Sequence, residues 1–254
     1  MASKQPIVVL VPGAWSAPAA YHKLVKALEA RSFTVHVPEL PTNNGARPPN
    51  STYQDDVDTV CKTVEPLVND GNEVFMLMHS YGGAVGTNAV EGLARKDREA
   101  KNLPGGVVHL LYLAGYMLAK GQSLWYVIKN SGILEQMLPL VTTEEDGTWL
   151  PKDAVWGMYH DLDPEDQEEQ KSLLKVNNAN CIYGETVYEG WRDIPSTYVR
   201  TTEDRWVPPV YQDHIIENAT NAGVPLNVLV LNCAHSPYAK YPNEVADIVV
   251  KAAA

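Results

Sequence analysis

The sequence contains little cysteine, with only Cys61, Cys181 and Cys233 among 254 residues. The three are far apart, odd in number and in no spacing typical of metal ligands, which disfavours both a disulfide framework and a metal site. Unpaired cysteines are typical of reducing compartments, so we expect a cytoplasmic protein.

Long apolar runs are also missing. No stretch approaches the ~18 consecutive apolar residues of a membrane-spanning helix, so we expect no membrane partner. The apolar run near the N-terminus stops at Pro12-Gly13. Such a short run predicts a buried first strand rather than a secretory signal.

Positive charge is scarce. Lys and Arg number 20 against 31 Asp and Glu, which gives a formal net charge of −11 and a pI near 5.0. We expect no nucleic-acid partner, because a phosphate backbone requires a basic face. The acidic run from Asp161 to Glu169 is interpreted as a solvated surface segment.

Short apolar runs instead alternate with helical stretches along most of the chain. The predicted strands are Ile7–Val11, Thr34–Val37, Val74–Met78, Val107–Leu113, Thr197–Thr201 and Leu226–Leu231. The predicted helices between and after them are Ala19–Arg31, Tyr53–Asn69, Tyr81–Arg95, Pro209–Ala222 and Asn243–Ala253. This alternation predicts an α/β fold with a mostly parallel central sheet and helices on both faces.

Residues 119–195 interrupt the alternation. They hold four tryptophans and several helix-like stretches but no strong strand pattern. A structureless loop of this length is improbable in a compact domain. We therefore predict a mainly helical cap over the carboxyl edge of the sheet, where open α/β sheets bind ligands. Residues 1–118 and 196–254 would form one core domain.

The most informative segment is His79-Ser80-Tyr81-Gly82-Gly83, which joins a buried strand directly to a helix. It is typical of a nucleophile elbow, a tight turn that exposes a serine hydroxyl. The usual G-x-S-x-G pattern is broken by Met78, and a Ser N-cap before a glycine-rich helix is the alternative interpretation. We take Ser80 as the candidate nucleophile.

A serine nucleophile requires a base, and the base requires an acid that orients it. His235 follows the last predicted strand, and Asp204 follows the strand before it. The order Ser, Asp, His at strand ends is the one in which folds with this elbow present a catalytic triad. Glu203, the neighbour of Asp204, is the alternative acid.

Two backbone amides should bind the oxyanion that forms during such a reaction. One belongs to Tyr81, which follows the nucleophile, and the other to Ala14, in the loop after the first strand. Pockets are lined mainly by apolar and aromatic side chains. The predicted substrate contacts are Trp15, Trp125, Trp156 and His160.

These segments resemble the branch of the α/β-hydrolase superfamily that contains plant methylesterases and hydroxynitrile lyases, with fungal and bacterial relatives. The matching segments are Val11–Trp15, Met78–Gly82, Tyr112–Leu118, Thr202–Pro208 and Ala234–Pro237. The resemblance implies an α/β-hydrolase fold that uses Ser80, Asp204 and His235 without a metal or organic cofactor.

The sequence departs from the hydroxynitrile lyases of this branch at two informative positions. Those enzymes have a threonine in the oxyanion loop and a lysine directly after the catalytic histidine, where this chain has Ala14 and Ser236. Without that lysine, cyanide would lack a cation to stabilise it, so lyase activity of that kind is disfavoured.

The sequence therefore predicts a serine hydrolase, carboxylesterase-like or lactonase-like, whose small-molecule substrate is a largely apolar or aromatic ester or lactone. A lyase, dehydratase or cyclase of secondary metabolism that uses the same triad is the alternative. A non-catalytic ligand receptor is less favoured, because a receptor has no need of an intact triad. A homodimer through an uncovered sheet edge or helix face is left open.

Overall fold

The computed structural model describes residues 5–254 and contains two sheets. The strands are β1 Ile7–Val11, β2 Val35–His36, β3 Glu73–His79, β4 Gly106–Leu113, β5 Val141–Thr143, β6 Thr148–Pro151, β7 Asn177–Asn178, β8 Ser196–Thr201 and β9 Asn227–Leu231. The larger sheet has the order β2-β1-β3-β4-β8-β9, and every neighbouring pair in it is parallel. The predicted parallel sheet is confirmed, with a second strand of only two residues.

The helices alternate with these strands. They are α1 His22–Glu29, α2 Tyr53–Asn69, α3 Gly82–Ala89, α4 Arg95–Ala100, α5 Leu124–Asn130, α6 Leu134–Met137, α7 Pro164–Ser172, α8 Pro209–Asn221, α9 Pro237–Lys240 and α10 Pro242–Ala252. Across residues 5–254, none combines the length and hydrophobicity needed to cross a bilayer.

One helix is shorter than predicted. The expected helix Tyr81–Arg95 is divided, because α3 ends at Ala89 and α4 begins only at Arg95. Gly92 lies between them with φ +74°, a left-handed conformation that typically ends a helix.

Alternate residues of the buried strands contribute to two hydrophobic clusters, one on each face of the sheet. In β1, Val9 and Val11 join the cluster covered by α2, α3 and α8, whereas Val8 and Leu10 join the one covered by α1 and α10. The predicted helical layers on both faces are therefore confirmed.

Residues 119–195, which we call the insert, contain strands that the sequence analysis did not predict. Besides helices α5 to α7, they form an antiparallel sheet of order β5-β6-β7. Its first hairpin closes where Glu144 N–H donates to Thr148 C=O over 2.8 Å, with Gly147 at φ +87°. Strands of two to four residues are too short to show a clear alternation.

Close packing of α3 against β1 and β3 fixes the position of the turn that follows β3. A Cβ atom on Gly82 would lie 2.5 Å from the carbonyl oxygens of Val11 and Pro12, so only glycine allows this approach. One turn later, a Cβ atom on Gly86 would lie 2.6 Å from the sulfur of Met78. Gly86 thus makes room for Met78, which explains the departure from the usual elbow pattern.

Candidate active site

Ser80 occupies the turn between β3 and α3 in a strained conformation, with φ +53°. Its amide donates to Leu113 C=O over 3.2 Å, and its carbonyl accepts from the amides of Gly83 and Tyr116 over 2.9 and 3.0 Å. A non-glycine residue in this region costs ~1–3 kcal/mol and persists only where its surroundings hold it. The strain is the geometry expected of a nucleophile elbow.

His235 and Asp204 lie next to Ser80 in one hydrogen-bonded line. His235 Nε2 is 2.9 Å from Ser80 Oγ, and His235 Nδ1 is 2.7 Å from Asp204 Oδ2. All three side chains are buried. The fold therefore brings together three residues that are separated by up to 155 positions in the sequence.

Asp204, and not Glu203, faces the imidazole. Its Oδ1 accepts from the amides of Trp206 and Val207, each over 2.8 Å, and its Oδ2 also accepts from Thr201 Oγ1 over 2.9 Å. These hydrogen bonds fix the orientation of the carboxylate beside the imidazole. Glu203 is exposed, so the alternative acid lies on the outside of the same turn.

The two predicted oxyanion donors border the cavity above Ser80. The amides of Ala14 and Tyr81 both belong to cavity-lining residues. Within residues 5–254, no acceptor takes a hydrogen bond from either amide. An amide without a partner inside the protein is what an oxyanion donor requires.

The loop that carries Ala14 is held on two sides. Gly13 N–H donates to Tyr21 Oη over 2.8 Å, and Trp15 N–H donates to Asn43 Oδ1 over 3.0 Å. Asn43 Nδ2 returns a hydrogen bond to Gly13 C=O over 3.1 Å. This fixation accounts for a second strained residue, since Trp15 has φ +61°.

A buried polar network continues from Asn43 into the insert and under the elbow. Asn177 Nδ2 donates to Asn43 Oδ1 and to Thr42 Oγ1, each over 2.8 Å. The Asp56 carboxylate accepts from Thr42 Oγ1 over 2.6 Å and from Tyr81 Oη over 2.7 Å. One network thus connects the insert, the oxyanion loop and the residue after Ser80.

Burial sets the acidity of Asp56. It raises the pKa of this carboxyl from 3.8 to about 6, although hydrogen bonds from Thr42 and Tyr81 act in the opposite direction. Asp56 is therefore mainly an anion at neutral pH, stabilised there by three donors.

The cavity beside Ser80 has a volume of about 310 Å³ and is mainly aromatic and aliphatic. Its wall residues are Ala14, Trp15, Ser80, Tyr81, Tyr116, Leu124, Trp125, Ile128, Met137, Leu138, Leu140, Val141, Thr143, Trp149, Ala179, Asn180, Ile182, Tyr183, Trp206 and Tyr211. None of these described residues is charged. Two of the predicted substrate contacts, Trp15 and Trp125, lie on this wall.

The structure does not bring Trp156 or His160 to this wall. Trp156 is 44% exposed, and its ring lies 5.0 Å below the Arg205 guanidinium. The turn between Trp156 and His160 packs on the Trp206 ring, because a Cβ atom on Gly157 would lie 2.8 Å from a carbon of that ring. Trp206 itself borders the cavity, which places the turn behind the wall.

Three residues that hold the site together were not predicted from the sequence. Asp161, interpreted as solvated, accepts from the amide of Ala234 over 2.9 Å, directly beside His235. Asn43 and Asn177 contact each other across 134 positions. No local pattern in the sequence marks any of the three.

Within residues 5–254, no group of three or more His, Cys, Asp and Glu side chains could hold a metal ion. The three cysteines are free thiols.

Comparison with known proteins agrees with the fold and with the resemblance seen in the sequence. Residues 8–248 match the model of the alpha/beta hydrolase family. The chain is 27% identical to the alpha/beta hydrolase nvfD of Aspergillus novofumigatus, over 98% of this chain and 97% of that protein. It is 24% identical to the pyrethroid hydrolase of Sphingobium wenxiniae, over 95% and 85% of the two chains.

A solved plant structure has the same fold. The methylesterase MES16 from Arabidopsis superposes with a TM-score of 0.69 at 20% identity, over 97% of this chain and 98% of that one.

Asp56 should make folding stability depend on pH. Its raised pKa means that the folded protein holds the proton more tightly than the unfolded chain does. The stability contributed by the protonated form is present below about pH 4 and is lost as the pH rises through about 6, a change of roughly 3 kcal/mol. The free energy of unfolding of wild type minus that of Asp56→Asn should fall over this range and then level off.

Urea unfolding at several pH values measures this difference. Asp55→Asn, on the same helix, is the control, because hydrogen bonds from Thr52 lower the pKa of Asp55. Its difference from wild type should not fall between about pH 4 and 6. If the difference between wild type and Asp56→Asn did not change with pH, the raised pKa of Asp56 would be contradicted.

Proposed function

The chain belongs to the alpha/beta hydrolase family, and on that premise we propose that it is a serine carboxylesterase or lactonase that works through an acyl-enzyme. The observation that carries this proposal is the hydrogen-bonded line of Asp204, His235 and Ser80, which opens onto an uncharged aromatic cavity. Ala14 and Tyr81, whose backbone amides have no partner within residues 5–254, line the same cavity.

In the first half of the reaction, Ser80 Oγ attacks the ester carbonyl carbon while His235 Nε2 takes the hydroxyl proton. The carbonyl oxygen becomes an oxyanion that accepts from the amides of Ala14 and Tyr81. Asp204 holds the proton on His235 Nδ1 and stabilises the imidazolium. His235 then protonates the departing alkoxide, which leaves the acyl group on Ser80.

In the second half, a water molecule gives its proton to His235 Nε2 and attacks the acyl carbon. The same two amides bind the second oxyanion. When the intermediate collapses, the proton returns to Ser80 Oγ and the carboxylic acid is released. For a lactone, acid and alcohol are two ends of one product.

The cavity supports a substrate without formal charge. A carboxylate or ammonium group would lose its hydration there without a charged partner, which costs several kcal/mol. Trp15, Trp149 and Trp206 form a packed aromatic wall, with ring centroids 4.6 and 5.1 Å from that of Trp15. Relatives named as a pyrethroid hydrolase and a methylesterase also favour an apolar or aromatic ester.

The insert, residues 119–195, is proposed as a cap on a core formed by residues 1–118 and 196–254. The insert supplies Leu124, Trp125 and Tyr183 to the cavity wall. Asn177 ties it to the oxyanion loop. The free cysteines support the prediction of a reducing compartment such as the cytoplasm.

Ser80→Ala should abolish hydrolysis of a panel of uncharged p-nitrophenyl and methyl esters. Removal of the nucleophile lowers kcat by about 10³-fold or more. The melting temperature should not fall, since the substitution removes only one hydroxyl. Ser172→Ala, on the exposed surface of α7, should keep full activity. Retention of wild-type turnover by folded Ser80→Ala would rule out the proposed mechanism.

The neighbouring acids offer a matched test of the orienting group. Asp204→Asn keeps the shape but loses the charge that holds the imidazole tautomer, so kcat should fall by about 10³- to 10⁴-fold. Glu203→Gln should stay near the wild-type rate. If steady-state kinetics showed a larger loss of kcat for Glu203→Gln than for Asp204→Asn, the orienting acid would be Glu203.

A further inference from the structure

We propose that Tyr21 and His79 are positioning residues that join the oxyanion loop to the loop of His235 through one buried chain of hydrogen bonds. We call this set, Gly13 N–H, Tyr21 Oη, the His79 ring and His235 C=O, the positioning chain. The inference rests on the proposed function, because it concerns how the two halves of that site are kept in register.

The positioning chain is continuous and buried. Gly13 N lies 2.8 Å from Tyr21 Oη, Tyr21 Oη lies 2.9 Å from His79 Nδ1, and His79 Nε2 lies 2.9 Å from His235 O. Tyr21, His79 and His235 are each at most 2% exposed. None of the three links can therefore be replaced by bulk water without rearrangement.

Its two ends decide which neutral tautomer of His79 completes the chain. The Gly13 amide can only donate and the His235 carbonyl can only accept. His79 must therefore carry a proton on Nε2, and a neutral His79 ring must accept the Tyr21 hydroxyl proton at Nδ1. Of the two neutral tautomers, only the Nε2–H form satisfies all three hydrogen bonds.

The surroundings keep His79 in that form. Burial, together with the neighbouring His235, holds the pKa of His79 well below its usual 6.5. The ring centroids of His79 and His235 are 4.7 Å apart. A neutral His79 leaves His235 as the imidazole of this pair that is placed to take the proton of Ser80.

The positioning chain touches the reaction centre at two points. Gly13 precedes Ala14, one proposed oxyanion donor, and a Cβ atom on Gly13 would lie 2.9 Å from His79 Nδ1. The other end is the backbone of the proposed base. A displacement of about 1 Å in such groups can cost roughly 100-fold in rate, so a chain that sets their spacing should act on kcat.

The test is Tyr21→Phe, which keeps the ring and removes the hydroxyl from the middle of the chain. We expect kcat for an uncharged ester to fall by about 10- to 100-fold, while KM stays within about threefold of wild type. A purely structural role would lower the melting temperature and the fraction of active enzyme without this change in kcat per folded molecule.

Tyr238→Phe is the matched control. Its ring packs against the rings of both Tyr21 and His79, with centroids 4.3 and 4.9 Å apart. Its hydroxyl, however, donates to Gln170 Oε1 over 3.2 Å and is not part of the positioning chain. Tyr238→Phe removes an equally buried phenol hydroxyl and should keep near-wild-type kcat.

His79 gives a second pair of variants. His79→Gln can still present an N–H to the His235 carbonyl, whereas His79→Leu cannot. Glutamine should therefore retain at least tenfold more kcat than leucine, in proteins of matched melting temperature. Equal kcat for Tyr21→Phe and Tyr238→Phe, or for the glutamine and leucine variants, would overturn the proposal.

Imidazole ¹⁵N NMR measures the tautomer and charge of His79 directly, without relying on turnover. Wild type should show His79 as the neutral Nε2–H tautomer, and Tyr21→Phe should shift its Nδ1 resonance, whereas Tyr238→Phe should not. Failure of wild type to hydrolyse any ester would contradict the proposed function alone. An Nδ1–H tautomer or a charged ring would contradict the positioning chain alone.

Discussion

The backbone turn at Ser80 is the constraint on which the rest of the site depends. A side chain at φ +53° can be held there only if its neighbours approach closely from both sides. Gly82 lets α3 start against the carbonyl oxygens of Val11 and Pro12, and Gly13 lets the loop after β1 lie on the His79 ring. The same packing that strains the serine thus brings the proposed oxyanion donors beside it.

The parts of this arrangement that depend on local sequence could be predicted. A buried strand, a short turn with glycines and a helix are adjacent in the chain, so Ser80 could be proposed as the nucleophile from the sequence. Asp204 and His235 could be proposed because each follows a predicted strand, and the carboxyl ends of parallel strands meet at one edge. Asp204 was preferred to Glu203 in the sequence, and the direction of each side chain in the turn supports that preference.

The parts that depend on long-range contacts could not be predicted. Asn43 and Asn177 are ordinary loop asparagines until the fold brings them together, and Asp161 lies in a run that looks solvated. In the insert, strands of two to four residues gave no period, so an antiparallel sheet was missed. Trp156 is an aromatic residue of the kind that lines pockets, but the turn that carries it packs behind Trp206, outside the cavity wall.

Charge is distributed unevenly around the site. The cavity wall is uncharged, whereas the Asp56 carboxylate lies behind it and accepts a hydrogen bond from Tyr81 Oη. Tyr81 belongs to both regions, since it lines the cavity and its hydroxyl donates to Asp56. This separation lets an apolar substrate enter without leaving buried charges unpaired.

The proposed mechanism requires that His235 activate the Ser80 hydroxyl. Intact-mass analysis after treatment with a fluorophosphonate tests it most directly, because such reagents modify an activated serine without regard to the natural substrate. We expect a single adduct on the wild-type protein and none on Ser80→Ala or His235→Ala. An unmodified, folded wild-type protein, or an adduct of the same yield on Ser80→Ala, would contradict it.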